Sequence, residues 1–150
     1  MSGNLTDTTD RAILNWITGT SLGGWTPPTT GYVALLTVDP STTAAVPTDP
    51  QMSELTELAA TGYARKAVTW NASTSPTNGT SQIQNNNVVT FGPFTASNGS
   101  GTPTTFGALV TTASGTTGEV IAVWEWDVPV VAPQNQSITI PIANLTLTQQ

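Results

Sequence analysis

Two carboxylates, Glu125 and Asp127, are the residues of this sequence that could most readily carry out catalysis. They lie two residues apart on one face of a predicted strand, where carboxyl groups stand about 6–7 Å apart, near the separation that glycosidases use. Glycosidases also need a substrate cleft and a different environment for each carboxylate. The simpler interpretation is a solvated strand face, or a partner for Arg65 or Lys66, and we favour it over catalysis.

The other common catalytic and metal-binding groups are missing from the sequence. Cysteine and histidine are both absent, which removes thiolate nucleophiles, the commonest general base and the commonest transition-metal ligand. Serine and threonine are abundant but have no evident activating base. The acidic residues of one loop region do not match the spacing of a calcium-binding loop; they are Asp39, Asp49, Glu54 and Glu57. We therefore predict no enzyme, no metal site and no cofactor.

Two tryptophans, Trp124 and Trp126, share a face of the same predicted strand. They could form a flat platform for a sugar ring. Large aromatic side chains with this alternation more often belong to the core or to a contact between subunits. We favour the core or a subunit interface over sugar binding.

Charge excludes several classes of partner. The net charge is −6, and the only basic residues are Arg11, Arg65 and Lys66. Three cations cannot neutralise a series of phosphates, so we predict neither nucleic-acid binding nor attraction to anionic membranes. The longest apolar run, Val120 to Trp124, is far shorter than the ~20 residues that a membrane-spanning helix needs. The sequence also begins without a recognisable secretory signal.

Strands must position these side chains, and the clearest predicted strand lies within the segment Gly31 to Pro40. A run of β-branched, aromatic and aliphatic residues lies between a glycine and an Asp-Pro break, which indicates a strand with both ends marked. Apolar residues occupy both of its faces, Tyr32, Ala34, Leu36 and Val38 on one and Val33 and Leu35 on the other. The strand should therefore lie inside a sheet that is covered on both sides.

The remaining pattern predicts one domain of the all-β class in a chain of 150 residues. Thirty threonines, 13 glycines and 11 prolines favour strands joined by turns. Further strands are predicted at 62–70, 88–91, 104–112, 119–131, 137–142 and 145–148, with one helical turn within 53–60. We expect an antiparallel β-sandwich or jelly-roll-like domain over residues 31–150.

Residues 1–30 are predicted to form an N-terminal arm consisting of a short helix and a loop. Apolar residues recur at helical spacing within residues 5–18, after a start rich in threonine and aspartate that can cap a helix. About three turns are marginal alone, so the apolar stripe should dock on something. The candidate protein-contact residues of the whole chain are Ile13, Trp16, Ile17, Trp25, Trp124 and Trp126.

Short motifs along nearly the whole chain resemble a family of small tailed-phage virion proteins, described as tail-fibre-like or minor structural proteins. The motifs are Tyr32-Val33-Ala34-Leu35-Leu36-Thr37 with Asp39-Pro40, Gly62-Tyr63-Ala64-Arg65, Val88-Val89-Thr90-Phe91, Thr105-Phe106-Gly107, and the closing segments Ile138 to Ile142 and Ala143 to Thr148. The chain departs from the family before Phe106, where members often carry a histidine, and at Trp124-Glu125-Trp126-Asp127.

The resemblance implies a structural role in the virion, after synthesis in the host cytoplasm. Our leading hypothesis is a capsid decoration or cement protein that forms a homo-oligomer, expected to be a trimer, and binds the major capsid protein. In this hypothesis residues 1–30 contact neighbours, with Trp16 and Trp25 as anchors. The alternative is a tail-fibre or tail-tip protein that contacts other tail proteins and binds a host receptor, such as a glycan, through loops 71–87 and 95–103.

Overall fold

The computed structural model describes residues 2–18, 30–72, 81–95, 102–132 and 134–149, and within these ranges it contains nine strands, two α-helices and one 3₁₀ turn. The helices are α1 (Asp7–Ile17) and the single-turn α2 (Pro40–Thr43). The strands are β1 (Ser2–Leu5), β2 (Gly31–Leu36), β3 (Lys66–Val68), β4 (Ser81–Gln84), β5 (Val89–Phe91), β6 (Thr104–Val110), β7 (Val120–Val130), β8 (Ile138–Ile140) and β9 (Thr146–Gln149).

Seven strands form one sheet in the order β3-β2-β6-β7-β1-β9-β4. β2 pairs antiparallel with both β3 and β6, as expected for a strand inside a sheet. β1 lies between β7, to which it is antiparallel, and β9, to which it is parallel. The predicted arm of residues 1–30 therefore begins with a strand of the main sheet, which the sequence did not reveal.

Alternation along β2 supplies both faces of this sheet with core residues. Val33 and Leu35 point to one side and Ala34 and Leu36 to the other, and all four are completely buried. Burial of one such leucine side chain contributes about 1.5–3 kcal/mol. The prediction that β2 is covered on both sides is confirmed.

Different parts of the chain cover the two faces. On the Val33 side, β5 and β8 pair as a separate two-stranded sheet and add Phe91, Ile138 and Ile140 to the core. On the Ala34 side, the segment after β2 packs Met52 and Leu55 against the sheet. The all-β sandwich with a short N-terminal helix is confirmed.

Several predicted elements are shorter in the structure. The strand predicted at 62–70 is regular only over Lys66–Val68, and beyond it Trp70 forms an isolated antiparallel bridge with Asn85. The ladder with β2 does not extend before Lys66, because the backbone N–H of Leu35 donates to the Tyr63 hydroxyl and its carbonyl accepts from Leu58. The helical turn predicted within 53–60 is a 3₁₀ turn at Met52–Glu54. Within the described ranges, none of the helices is long and apolar enough to cross a membrane.

Candidate functional site

A groove of about 530 Å³ lies on the Ala34 side of the sheet. Strands β6 and β7 line it from the sheet, and the start of α1 and the segment that follows β2 line the rest of it. Half-buried Phe106 and Val123 contribute apolar surface from the sheet, and exposed Pro47 contributes it from the segment, whose Pro40 and Pro50 are buried. We call it the acidic groove, and its lining residues are Leu5, Thr6, Asp7, Asp39, Pro40, Ser41, Pro47, Thr48, Pro50, Phe106, Val123, Trp124, Glu125 and Asp127.

Hydrogen bonds hold the start of α1 against β7 and against the segment that follows β2. The hydroxyl of Thr6 accepts from the backbone N–H of Thr9, which caps the helix, and donates to the carbonyl of Val120 in β7. The backbone N–H of Asp7 donates to the carbonyl of Thr48, whose hydroxyl donates in turn to the Asp7 carboxylate at 2.7 Å. Residues distant in sequence thereby hold one wall in place.

Four carboxylates surround this groove: Asp7, Asp39, Glu125 and Asp127. Asp39 accepts hydrogen bonds from the backbone and hydroxyl of Ser41, and the side chains of Glu125 and Asp127 are exposed. In the part of the chain that the structure describes, none of the four is in an ion pair, and no three acidic side chains converge as metal ligands. The groove therefore carries negative charge, and neither lysine nor arginine is among its lining residues.

The alternative prediction, that Glu125 or Asp127 pairs with Arg65 or Lys66, is wrong. Across the described ranges the ion pair that forms joins Arg65 to Glu57 instead. The other alternative was a solvated strand face, and the exposure of both carboxylates agrees with it. Their membership of a groove with Asp7 and Asp39 could not be recognised from spacing, because the groove is assembled from three separate stretches of sequence.

A wide bulge in β7 borders the groove. Phe106 pairs with Glu125, yet Thr104 pairs with Val130, so the four residues 126–129 face the single residue Thr105 of β6. Trp126 turns inward, whereas residues 127–129 are exposed, and Val128 retains 70% of its surface. Bulges re-aim side chains and occur often beside functional sites. This one places Asp127 at the rim of the acidic groove.

The two tryptophans of β7 lie in the core, on the Val33 side of the sheet. Trp124 and Trp126 are 4% and 8% exposed, and their rings meet edge to face at 86° with centroids 5.8 Å apart. The Nε1–H of Trp126 donates to the carbonyl of Phe106 at 2.7 Å. A Cβ atom at Gly107 would lie 2.5 Å from Nε1 of Trp124, so only glycine leaves room for that indole. Buried rings at a right angle match the core interpretation and offer no flat sugar platform.

A buried polar network holds the edge of the sheet beside β3. Arg65 donates through Nε and Nη2 to the Glu57 carboxylate, and also donates through Nη1 to the carbonyl of Thr112 at 3.0 Å and through Nη2 to that of Gly115 at 2.7 Å. Its side chain is 5% exposed and that of Glu57 22%. The network ties β3 and the segment after β2 to the hairpin between β6 and β7, so its role is structural.

Tyr63 completes the same network. Its hydroxyl accepts from the backbone N–H of Leu35 at 3.1 Å and donates to Glu57 Oε2 at 2.7 Å. The ring stacks on Phe91, with centroids 6.2 Å apart. Burial, and then the charge of Glu57, raise the pKa of the Tyr63 phenol far above its ordinary value. This network could not be recognised from the sequence, because its partners are close only in the folded chain.

The predicted contact residues of the N-terminal region are only partly described. Ile13 is half-buried, while Leu14 and Ile17 are 59% and 65% exposed on α1. The side chain of Trp16 and the whole of Trp25 lie outside the described residues. The described part of α1 therefore presents two large aliphatic side chains to solvent, and one of them was among the predicted contacts.

Comparison with known proteins identifies the family. The family model described as Podophage GP4 fiber I protein gp80 matches residues 4–148, which is nearly the whole chain. No curated protein matches it. The chain belongs to this fibre family, and a structural role in the virion follows from that membership. The predicted resemblance to phage virion structural proteins is confirmed.

Proposed function

We propose that this member of a podophage fibre family is a non-catalytic subunit of a tail fibre that assembles as a homo-oligomer, expected to be a trimer. The observation that carries the proposal is the match of the fibre family over residues 4–148. It favours the tail location over the capsid decoration role, which stays a prediction without support of its own. The expected contact with the major capsid protein belongs to that decoration role.

The absence of catalysis is part of this proposal. Glycosidase carboxylates need contrasting environments, one that keeps a proton and one that does not. Glu125 and Asp127 are instead both exposed at one open groove. Because the two carboxylates have similar environments, we infer a binding or structural role for them and not a catalytic one.

Binding of a host receptor, such as a glycan, is a second role that a fibre subunit could perform. The loops expected to carry it were 71–87 and 95–103. Residues 73–80 and 96–101 of these loops lie outside the described residues. Receptor binding and contacts with other tail proteins therefore stay predictions.

We place the contact between copies on the exposed side of α1. Leu14 and Ile17 lie three residues apart, so they are neighbours on the helix surface, and Arg11 lies one turn before them. Apolar side chains on a polar surface are stabilised when a neighbouring subunit covers them. Ile13, half-buried beside them, would extend the same contact.

Replacing Leu14 and Ile17 together by lysine is expected to dissociate the oligomer. Lysine retains helix propensity but places two charges where the proposed interface must exclude water. The measurement is molar mass by light scattering during size-exclusion chromatography. We expect the oligomer mass for the wild-type chain and the monomer mass for the double variant at the same concentration.

The matched control is a lysine pair at two exposed aliphatic residues away from α1, Val46 and Ile142. This control should keep the oligomer mass, because it adds the same charge outside the proposed interface. A wild-type chain that elutes as a monomer at high concentration would overturn the proposed oligomer. Equal dissociation of both double variants would overturn the proposed interface.

A further inference from the structure

We propose that the acidic groove is a docking site for an arginine- or lysine-bearing segment of a different protein. For a fibre subunit that protein would be another virion component, and this part of the inference rests on the proposed function. The binding chemistry itself depends only on the groove. Three observations carry it: the shape and lining of the groove, its uncompensated charge, and the shortage of cations in the chain itself.

The lining of the groove suits a long basic side chain. Arginine and lysine combine a charged end with an aliphatic stem that packs on apolar surface. Pro47, Phe106 and Val123 provide such surface, and the carboxylates surround it. A volume of about 530 Å³ accommodates a few side chains of a peptide segment.

The negative charge of the groove favours an occupant with positive charge. The chain has nine acidic residues, and four of them line this one groove. Four carboxylates around one groove attract a cation in common. A bound guanidinium or ammonium group would therefore meet a surface of complementary charge there. The side chains of Glu125 and Asp127 have no hydrogen-bond partner within the described residues, so both carboxylates can bind a cation without breaking an existing contact.

A second copy of this chain is a poor source of that cation. Of the three basic residues, Arg65 is buried and bound to Glu57, Thr112 and Gly115. Arg11 lies on α1, where its side chain contacts the backbone of Asp7 and the hydroxyl of Thr8. Exposed Arg11 and half-buried Lys66 are left, and two cations cannot match four carboxylates. The complementary partner is therefore a protein with more basic residues than this one.

The apolar part of the lining favours aliphatic residues beside the cation of a partner segment. Phe106 and Val123 are half-buried in the groove, and Pro47 is exposed beside them. The preferred partner sequence therefore combines basic and aliphatic residues.

The test uses the full-length wild-type chain and a labelled synthetic peptide, acetyl-Gly-Arg-Leu-Arg-Gly-amide, with fluorescence anisotropy at low salt as the readout. We expect saturable binding that weakens as salt is raised, since exposed charges are screened. The same peptide with citrulline at both arginine positions keeps the shape and loses the charge. It should bind at least about tenfold more weakly, the equivalent of 1.4 kcal/mol.

The double variant Glu125→Gln with Asp127→Asn should raise the Kd of the arginine peptide at least about tenfold. The matched control is Asp10→Asn with Glu119→Gln, which changes the net charge equally at two acidic residues that do not line the groove. It should change the Kd by less than about twofold. Both variants should keep the far-ultraviolet circular dichroism of the wild-type chain, because none of the four side chains has a described hydrogen bond or ion pair.

Three results would overturn the proposal: no binding of the arginine peptide, equal binding of the citrulline peptide, or equal weakening by the two double variants. These results leave oligomerisation and virion location unaffected. The failure of the docking site can therefore be distinguished from a failure of the proposed fibre role.

Discussion

Replacing Arg65 by methionine is expected to lower the free energy of unfolding by about 3–5 kcal/mol, the range observed when one partner of a buried ion pair is removed. The carboxylate of Glu57 would lose its cation while it stays largely buried. The carbonyls of Thr112 and Gly115 would lose their donors as well. Methionine fills part of the volume, so the loss measures polar contacts more than an empty cavity. Urea denaturation followed by tryptophan fluorescence gives the value.

Two further variants identify the cause of that loss. Lys66→Met removes a neighbouring, half-buried cation that has no described partner, and it should change the free energy of unfolding by less than about 0.5 kcal/mol. Arg65→Lys keeps the charge but cannot donate to Glu57, Thr112 and Gly115 together, so it should fall between the wild-type chain and Arg65→Met. If Arg65→Met and Lys66→Met had equal effects, the structural role of the network would be refuted.

Replacing Asn85 by alanine is the second change with a large expected effect, a loss of about 3 kcal/mol or more. Asn85 has no exposed surface. Its side-chain amide donates to the carbonyls of Asn87 at 2.8 Å and Pro141 at 2.9 Å, and its side-chain oxygen accepts from the backbone N–H of Leu145 at 2.8 Å. Alanine leaves the N–H of Leu145 and the carbonyl of Asn87 without this partner, whereas the carbonyl of Pro141 keeps the hydrogen bond from the N–H of Asn144 at 3.3 Å. Each buried group left unpaired costs about 1–3 kcal/mol, and the volume vacated by the amide adds to the loss.

Asn85 also explains how the end of the chain is attached to the sheet. Its own backbone accepts from the N–H of Ala143 and donates to the carbonyl of Leu145, so one residue fixes the connection between β8 and β9. The matched control is Asn144→Ala, at an exposed asparagine of that connection, which should stay within about 0.5 kcal/mol of the wild-type chain. Thermal unfolding by circular dichroism compares the two, and equal losses would contradict the role assigned to Asn85.

The strands that could be predicted from the sequence are those whose own apolar residues account for their burial. β2 shows this clearly, because its β-branched and aliphatic side chains occupy both faces and both faces are covered. β1 and β4 were missed for the opposite reason. The Ser-Gly-Asn-Leu and Ser-Gln-Ile-Gln segments have little apolar alternation, and they become strands by pairing with β7 and β9, which are distant in sequence.

The candidate site was predicted to a smaller extent. Glu125 and Asp127 were recognised by residue type and spacing, but the bulge at residues 126–129 of β7 is a property of pairing, not of composition. Asp7 lines the groove because the capped start of α1 lies there, and Asp39 lines it because the segment after β2 lies there. The pairing of Glu57 with Arg65 and the role of Asn85 likewise depend on contacts between segments that meet only after folding.

The most direct test of the central claim is immunogold electron microscopy of purified phage particles, with antibodies raised against this chain. We predict gold particles on the tail at a few copies per virion, and loss of the labelling when the antibodies are first adsorbed with the purified chain. Labelling spread over the capsid shell would contradict the tail-fibre role in favour of a decoration protein, and particles without any label would contradict a structural role in the virion.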